Sequence, residues 1–175
     1  MKALAAMPAA AVQDIRGVFC AIDDTLTSDG KLGTRAYAAL ERLRSAGKLV
    51  IPITGRPAGW CDHIARMWPV DAVVGENGAF YFYYDAAQKK LAQRFLFDAA
   101  ARAGNREKMI AVRERILREV PGCAPASDQL YREADLAIDY CEDVPRLPMI
   151  DVDRIVALMR AAGMTAKISS IHVNG

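Results

Sequence analysis

Three short segments of this chain combine residue types that suit an anionic ligand. The first, Ile22-Asp23-Asp24-Thr25-Leu26-Thr27, follows an apolar run and offers carboxylates and hydroxyls. The second, Ile53-Thr54-Gly55-Arg56-Pro57, sets a hydroxyl, a glycine that leaves backbone N–H groups accessible and a guanidinium ahead of a helix opened by proline. The third, Gly75-Glu76-Asn77-Gly78, reads as a tight turn carrying two polar side chains. In an open parallel sheet, ligands bind beyond the carboxyl ends of the strands. If the runs before these segments are neighbouring parallel strands, Asp23 stands where a catalytic acid or base is expected. Thr54, Gly55 and Arg56 then form a phosphate cradle, with Glu76 and Asn77 at the same edge. A plainer account exists for each. Asp23 is then a solvated turn carboxylate, Thr54-Gly55 a helix-entry turn, Arg56 a local ion pair, and Glu76-Asn77 turn formers. The agreement of three segments favours the shared cradle.

The intervening elements must hold these segments together. Residues 17–23 (GVFCAID), 48–54 (KLVIPIT) and 71–75 (DAVVG) are short apolar runs of the kind that form strands buried on both faces. Between the first two, Tyr37, Leu40 and Leu43 recur at helical spacing, with Thr34 as candidate N-cap and Gly47 past the end. A second helix is expected from Pro57 through Trp60, Ile64 and Met67, and residues 79–85 (AFYFYYD) form an aromatic fourth strand. Strand, helix, strand, helix, strand with short connections predicts a parallel sheet covered by helices. After Asp85 the pattern changes. It predicts a strand over 91–97, a helix over 105–120, a half-exposed strand over 134–141, a helix capped by Asp151 that ends at Gly163, and a closing strand over 164–173. This half reads as a small α+β unit.

Composition narrows the classes further. The 175 residues carry 23 basic and 21 acidic groups, a formal charge of +2, so neither nucleic acid nor an anionic membrane is expected as partner. Charged residues at 25% and apolar residues at 53% exclude a disordered chain, although 31 alanines inflate the apolar share. No run approaches the roughly 18 apolar residues of a membrane span. The four cysteines lie far apart and form no Cys-x-x-Cys pair, and His63 and His172 complete no zinc spacing. Met1 to Gln13 is Ala-rich but lacks the apolar stretch of a signal peptide, and reads as a loose leader of a cytoplasmic protein.

IDDTLT, PITGRP and VVGENGAFY, in this order and spacing, resemble the haloacid dehalogenase superfamily of phosphatases. The match is to the large-cap, Cof-like branch (type IIB), whose members often act on sugar phosphates. The resemblance covers residues 17–85 through these motifs and the remainder through cap topology. It implies a Rossmann-like α/β core with an inserted α+β cap, divided as leader 1–13, core 14–84, cap 85–170 and a return to the core at 171–175. It further implies hydrolysis of a small phosphorylated metabolite through an aspartyl phosphate, with Mg2+ as cofactor. In the family pattern Asp-x-Asp-x-Thr, the second Asp falls on Asp23, the general acid and base, and the Thr on Thr25, which supports the motif. Thr54, Gly55, Arg56, Glu76 and Asn77 fall on phosphate- and substrate-binding positions.

The chain departs from that pattern where the chemistry is most demanding. The family nucleophile falls on Ala21, which has no carboxylate to attack phosphorus. Positions 21 and 23 share a face by the two-residue period of a strand, while Asp24 points the other way and does not substitute. The family also supplies a lysine and metal-binding acids on core strands after the cap, whereas this sequence stops at Gly175. Of the Mg2+ ligands only the backbone carbonyl at Asp23 is then expected to remain, and the first strand becomes an open edge that invites self-association. These departures predict a fragment, or a chain that relies on association, with little or no turnover. A catalytically disabled protein that still binds a phospho-ligand is the alternative. A signalling receiver is a third reading, but it needs an acceptor Asp after the third strand, where only Glu76 stands.

Overall fold

Short, mostly apolar runs set the first sheet. In the computed structural model, which describes residues 6–175, five strands run in the order β1-β4-β5-β6-β7. They are β1 (Gly17–Ala21), β4 (Leu49–Ile53), β5 (Val73–Gly75), β6 (Phe80–Asp85) and β7 (Lys90–Phe95). Between β1 and β4 lie a two-stranded ribbon, β2 (Thr27–Ser28) and β3 (Lys31–Leu32), and helix α2 (Thr34–Ser45). Helix α3 (Ala58–Met67) joins β4 to β5. Both connections link parallel strands and step in one direction across the sheet. Right-handed crossovers that advance the same way place both helices on one face. Val50, Val73, Phe80 and Phe82 of the sheet are buried, as are Leu40 of α2 and Cys61 and Ile64 of α3.

The second sheet is antiparallel, ordered β10-β11-β9-β8, from β8 (Ala124–Pro125), β9 (Ala137–Asp139), β10 (Lys167–Ile168) and β11 (His172–Asn174). Helices α4 (Ala99–Glu119) and α5 (Met149–Ala161) supply Val112, Ile116, Val152, Ile155 and Met159 to a core shared with Ile138 and Val173. The described residues up to Arg56 and Trp60–Arg94 form one unit; Pro57–Gly59 and Phe95–Gly175 form the other. This is an α/β unit with a Rossmann-like sheet and a separate α+β unit. Among the described residues, no helix is long and apolar enough to cross a membrane.

Several boundaries differ from the sequence reading, each for a local reason. Residues 1–5 of the expected leader lie outside the described residues, and Ala9–Asp14 forms a short helix, α1. Gly33, not Thr34, takes the extended N-cap position of α2. The division falls after Arg94 rather than near Asp85, because β7 joins β6 in the first sheet. Helix α4 begins at Ala99, where Asp98 accepts a hydrogen bond from the Ala101 N–H at 2.8 Å; its alanine-rich first turns lack an apolar stripe but have high helix propensity. Helix α5 starts at Met149 with Pro148, not Asp151, at its N-cap. The last stretch is two strands, since Ser169 Oγ accepts the His172 N–H at 2.9 Å and reverses the chain. Residues 171–175 therefore finish the second sheet, where Gly175 exchanges backbone hydrogen bonds with Leu136 at 2.8 and 2.9 Å, instead of turning back to the first.

Buried Asp139 organises the turn after β9. Its carboxylate accepts the N–H groups of Cys141 (2.8 Å), Glu142 (2.7 Å) and Asp143 (2.8 Å). Burial raises the carboxyl's pKa, but these three donors outweigh it and hold the group below the ordinary aspartate value. A depressed carboxyl pKa contributes stability that is complete above the unfolded-state value and is lost as pH falls through the folded-state value. We expect Asp139→Ala to lower unfolding free energy at pH 7 by about 2 to 4 kcal/mol in urea titrations, with the difference from the unaltered protein shrinking below pH 4.

Candidate functional site

The register of the two central parallel strands builds the site. Ala21 pairs with Ile53, so the chain leaves both strands at the same level, and the residues that follow are neighbours. Beyond Ala21 the backbone does not continue as a strand. Ile22 is buried, Asp23 stays extended (φ −67°, ψ 133°), and Asp24 adopts a left-handed conformation (φ 56°) that turns the chain. Exposed Ala21 and Asp23 thus flank a buried residue and keep the expected alternation. Thr27, which the sequence reading passed over, closes the turn: its buried hydroxyl donates to the Ile22 carbonyl at 3.1 Å. Thr25, expected to support this motif, is exposed. A threonine two positions past a motif threonine carries no distinguishing signal in one sequence.

Asp23 meets the end of β4 directly. Its Oδ1 accepts from Arg56 Nη2 at 2.7 Å and Nε at 3.1 Å, and Thr54 Oγ1 donates to its Oδ2 at 3.4 Å. The same hydroxyl accepts the Arg56 N–H at 3.0 Å, which fixes its orientation. The Arg56 guanidinium lies 4.6 Å from the centre of the Trp60 ring, a cation–π contact. The third segment is tied to the second by its backbone. Asn77 N donates to the Thr54 carbonyl and Glu76 N to the Arg56 carbonyl, both at 3.2 Å.

This junction is tightly specified. Glu76 (φ 43°) and Asn77 (φ 56°) are consecutive left-handed residues ahead of Gly78 (φ 102°), and such conformations are uncommon outside glycine. A Cβ at Gly55 would sit 3.0 Å from Asn77 Oδ1, so glycine lets the carboxamide lie against this backbone. A Cβ at Gly75 would collide with the Phe80 ring and stand 2.6 Å from Cys61 Sγ. Thr54 and Glu76 are buried, while Asp23 and Arg56 are partly exposed. The geometry brings Asp23, Thr54, Gly55, Arg56, Glu76 and Asn77 to one edge, with Ala21 beside them at the end of β1. Chemically it presents a hydroxyl, backbone at a glycine, a carboxamide and a guanidinium whose present partner is a carboxylate. An incoming dianion competes with Asp23 for Arg56.

These residues do not fit a divalent cation. Ala21 contributes a methyl group, the Asp23 carboxylate is engaged by a guanidinium, and no cluster of three His, Cys, Asp or Glu among the described residues is arranged as ligands.

Residues 18–102 match the family model of haloacid dehalogenase-like hydrolases. The fold is shared with a Thermoplasma acidophilum protein, with a TM-score of 0.68 at 18% identity over 91% of this chain and 64% of that one. A trehalose-6-phosphate phosphatase related protein gives 0.58 at 14%, over 89% of this chain and 65% of its own. A subclass IIB sugar phosphatase gives 0.55 at 12%, over 91% of this chain and 68% of its own. The chain therefore spans about two thirds of the length of these structures. No curated protein matches it in sequence. Residues 18–102 are thus similar to the haloacid dehalogenase-like hydrolases, the family that the three sequence motifs resemble.

Buried Cys61, beneath this junction, tests the packing. Burial, helped by the negative charge of Glu76, pushes its thiol up to about 12. At pH 8 only about one molecule in 10⁴ carries the thiolate, against about one in ten for an ordinary thiol. We expect Cys61 to resist iodoacetamide in the folded protein and to react at an ordinary rate in 6 M guanidinium, as read by peptide mass mapping.

Proposed function

We propose that this chain binds the phosphoryl group of a small phosphorylated metabolite at the joined ends of β1 and β4. In this reading it descends from a phosphomonoester hydrolase but has lost turnover at Ala21. One observation carries it: Arg56 and Thr54 converge on Asp23 at the sheet edge where the superfamily handles phosphate, with the Thr54–Gly55 backbone and Asn77 alongside. A sugar phosphate is the favoured ligand class, because two proteins of the same fold are named for sugar-phosphate chemistry. Asp23 keeps the position from which a carboxyl group protonates a leaving oxygen. Ala21 offers no atom to attack phosphorus, and losing a nucleophile lowers rates on the order of 10⁴ to 10⁶ fold. Binding without turnover is therefore favoured over hydrolysis. A reducing cytoplasm suits the four unpaired thiols.

Calorimetric titration with glucose 6-phosphate, alongside a phosphate-release assay on an aryl phosphate, tests this reading. We expect saturable binding, weakened about tenfold or more in Arg56→Ala. Asp23→Asn should bind several-fold more tightly, because it removes both the competitor for Arg56 and a like charge. Phosphate release should stay at the buffer background. Affinity unchanged in Arg56→Ala removes the cradle from the account, and release at an ordinary phosphatase rate contradicts the role given to Ala21.

A further inference from the structure

Arg56 has two partners of different kinds, and an incoming anion competes with only one of them. Along the donor edge of the guanidinium, Nε and Nη2 donate to Asp23 Oδ1 at 3.1 and 2.7 Å. The same group lies over the Trp60 ring, 4.6 Å from its centre. Trp60 stands in the first turn of α3, four residues after Arg56, and both belong to the first unit. The donor edge is the part of a guanidinium that a phosphoryl group engages. Attraction to the face of an indole ring is electrostatic and leaves that edge available. The backbone at Arg56 is held as well, since its N–H donates to Thr54 Oγ1 at 3.0 Å and its carbonyl accepts from Glu76 N at 3.2 Å. What remains to be ordered is a long side chain with many rotamers.

We infer that Trp60 is the positioning residue of this site. Arg56 stays on its ring while the anion at the donor edge is exchanged, Asp23 in the free protein and the ligand's phosphoryl group in the complex. The inference rests on the phosphoryl-binding reading of the proposed function. Without the ring, release of Asp23 frees the whole arginine side chain, and the ligand must order it again. With the ring, the guanidinium waits near its bound position. The held fork also selects the ligand's charged group. Donors on two nitrogens match two oxygens of one phosphoryl group, a pairing that the point charge of a lysine does not reproduce.

Proton chemical shifts of the Arg56 side chain provide the first test. Ring current from Trp60 should place its δ-protons upfield of an exposed arginine. The shift should persist in Asp23→Ala and at saturation with glucose 6-phosphate. Calorimetry provides the second. Affinity for glucose 6-phosphate should fall about three- to tenfold in Trp60→Leu and stay within about twofold in Trp60→Phe. Leucine keeps apolar bulk without a ring, so the two variants separate the cation–π role from packing. Trp60 is 46% exposed, and circular dichroism checks that both variants fold. The Asp23→Ala measurement leaves Trp60 in place, so it decides the matter even if a Trp60 variant fails to fold. Loss of the upfield shift in Asp23→Ala or on saturation, full affinity in Trp60→Leu, or Trp60→Phe as weak as Trp60→Leu would overturn the inference. Absence of saturable binding in the unaltered protein, or affinity unchanged in Arg56→Ala, removes the phosphoryl-binding reading and this inference with it. Affinity lost in Arg56→Ala but kept in Trp60→Leu removes the inference alone.

Discussion

The parallel pairing of β1 with β4 is the constraint on which the site depends. Because Ala21 and Ile53 are register partners, the turn after one strand and the helix entry after the other begin side by side. Asp23 can then reach Thr54 and Arg56 across a boundary of 31 and 33 residues of chain. Moving that register by two residues would displace the carboxylate by a full pleat repeat, beyond hydrogen-bonding distance of Arg56. The β5 end is held to the same level by short backbone links: Thr54 N to the Val74 carbonyl, and Asn77 N to the Thr54 carbonyl. Strand register supplies the geometry, and the side chains exploit it.

The ion pair between Asp23 and Arg56 changes how the edge is understood. Position 21, at the end of β1, carries no carboxylate to compete with Asp23 for Arg56. With a methyl group there, the guanidinium settles on Asp23 and the aromatic face of Trp60. The arrangement is partly exposed, so it is a modest interaction that a phosphoryl dianion can displace. The residues that argue against a metal ion thus still favour an anion. In the proposed reading, the cradle at Thr54 and Arg56 and the methyl group at Ala21 together fit recognition without turnover.

Much of the site was legible because its chemistry is local. Thr54-Gly55-Arg56-Pro57 and Gly75-Glu76-Asn77-Gly78 each declare a turn at the end of an apolar run, and the sheet rule then brings them together. Other features depend on partners distant in sequence. The Asp23–Arg56 pairing needs the β1–β4 register, which no single segment encodes. Thr27 is one hydroxyl among several until the turn is built. An apolar run such as GVFCA reads the same whether one face or both are covered, because burial is a property of neighbouring elements. The late boundary after Arg94 arose because an aromatic strand and its partner pair as a hairpin, which periodicity alone does not assign to either unit. Ser169 broke the last predicted strand through a side-chain turn that resembles ordinary strand polarity in the sequence.

Amide chemical shifts during titration of the isotopically labelled protein with a sugar phosphate offer the most direct measurement. The account predicts saturable changes concentrated at Gly55, Arg56, Asn77 and Gly78, with one shared dissociation constant. Shifts that never saturate, or that cluster away from the ends of β1 and β4, would contradict it.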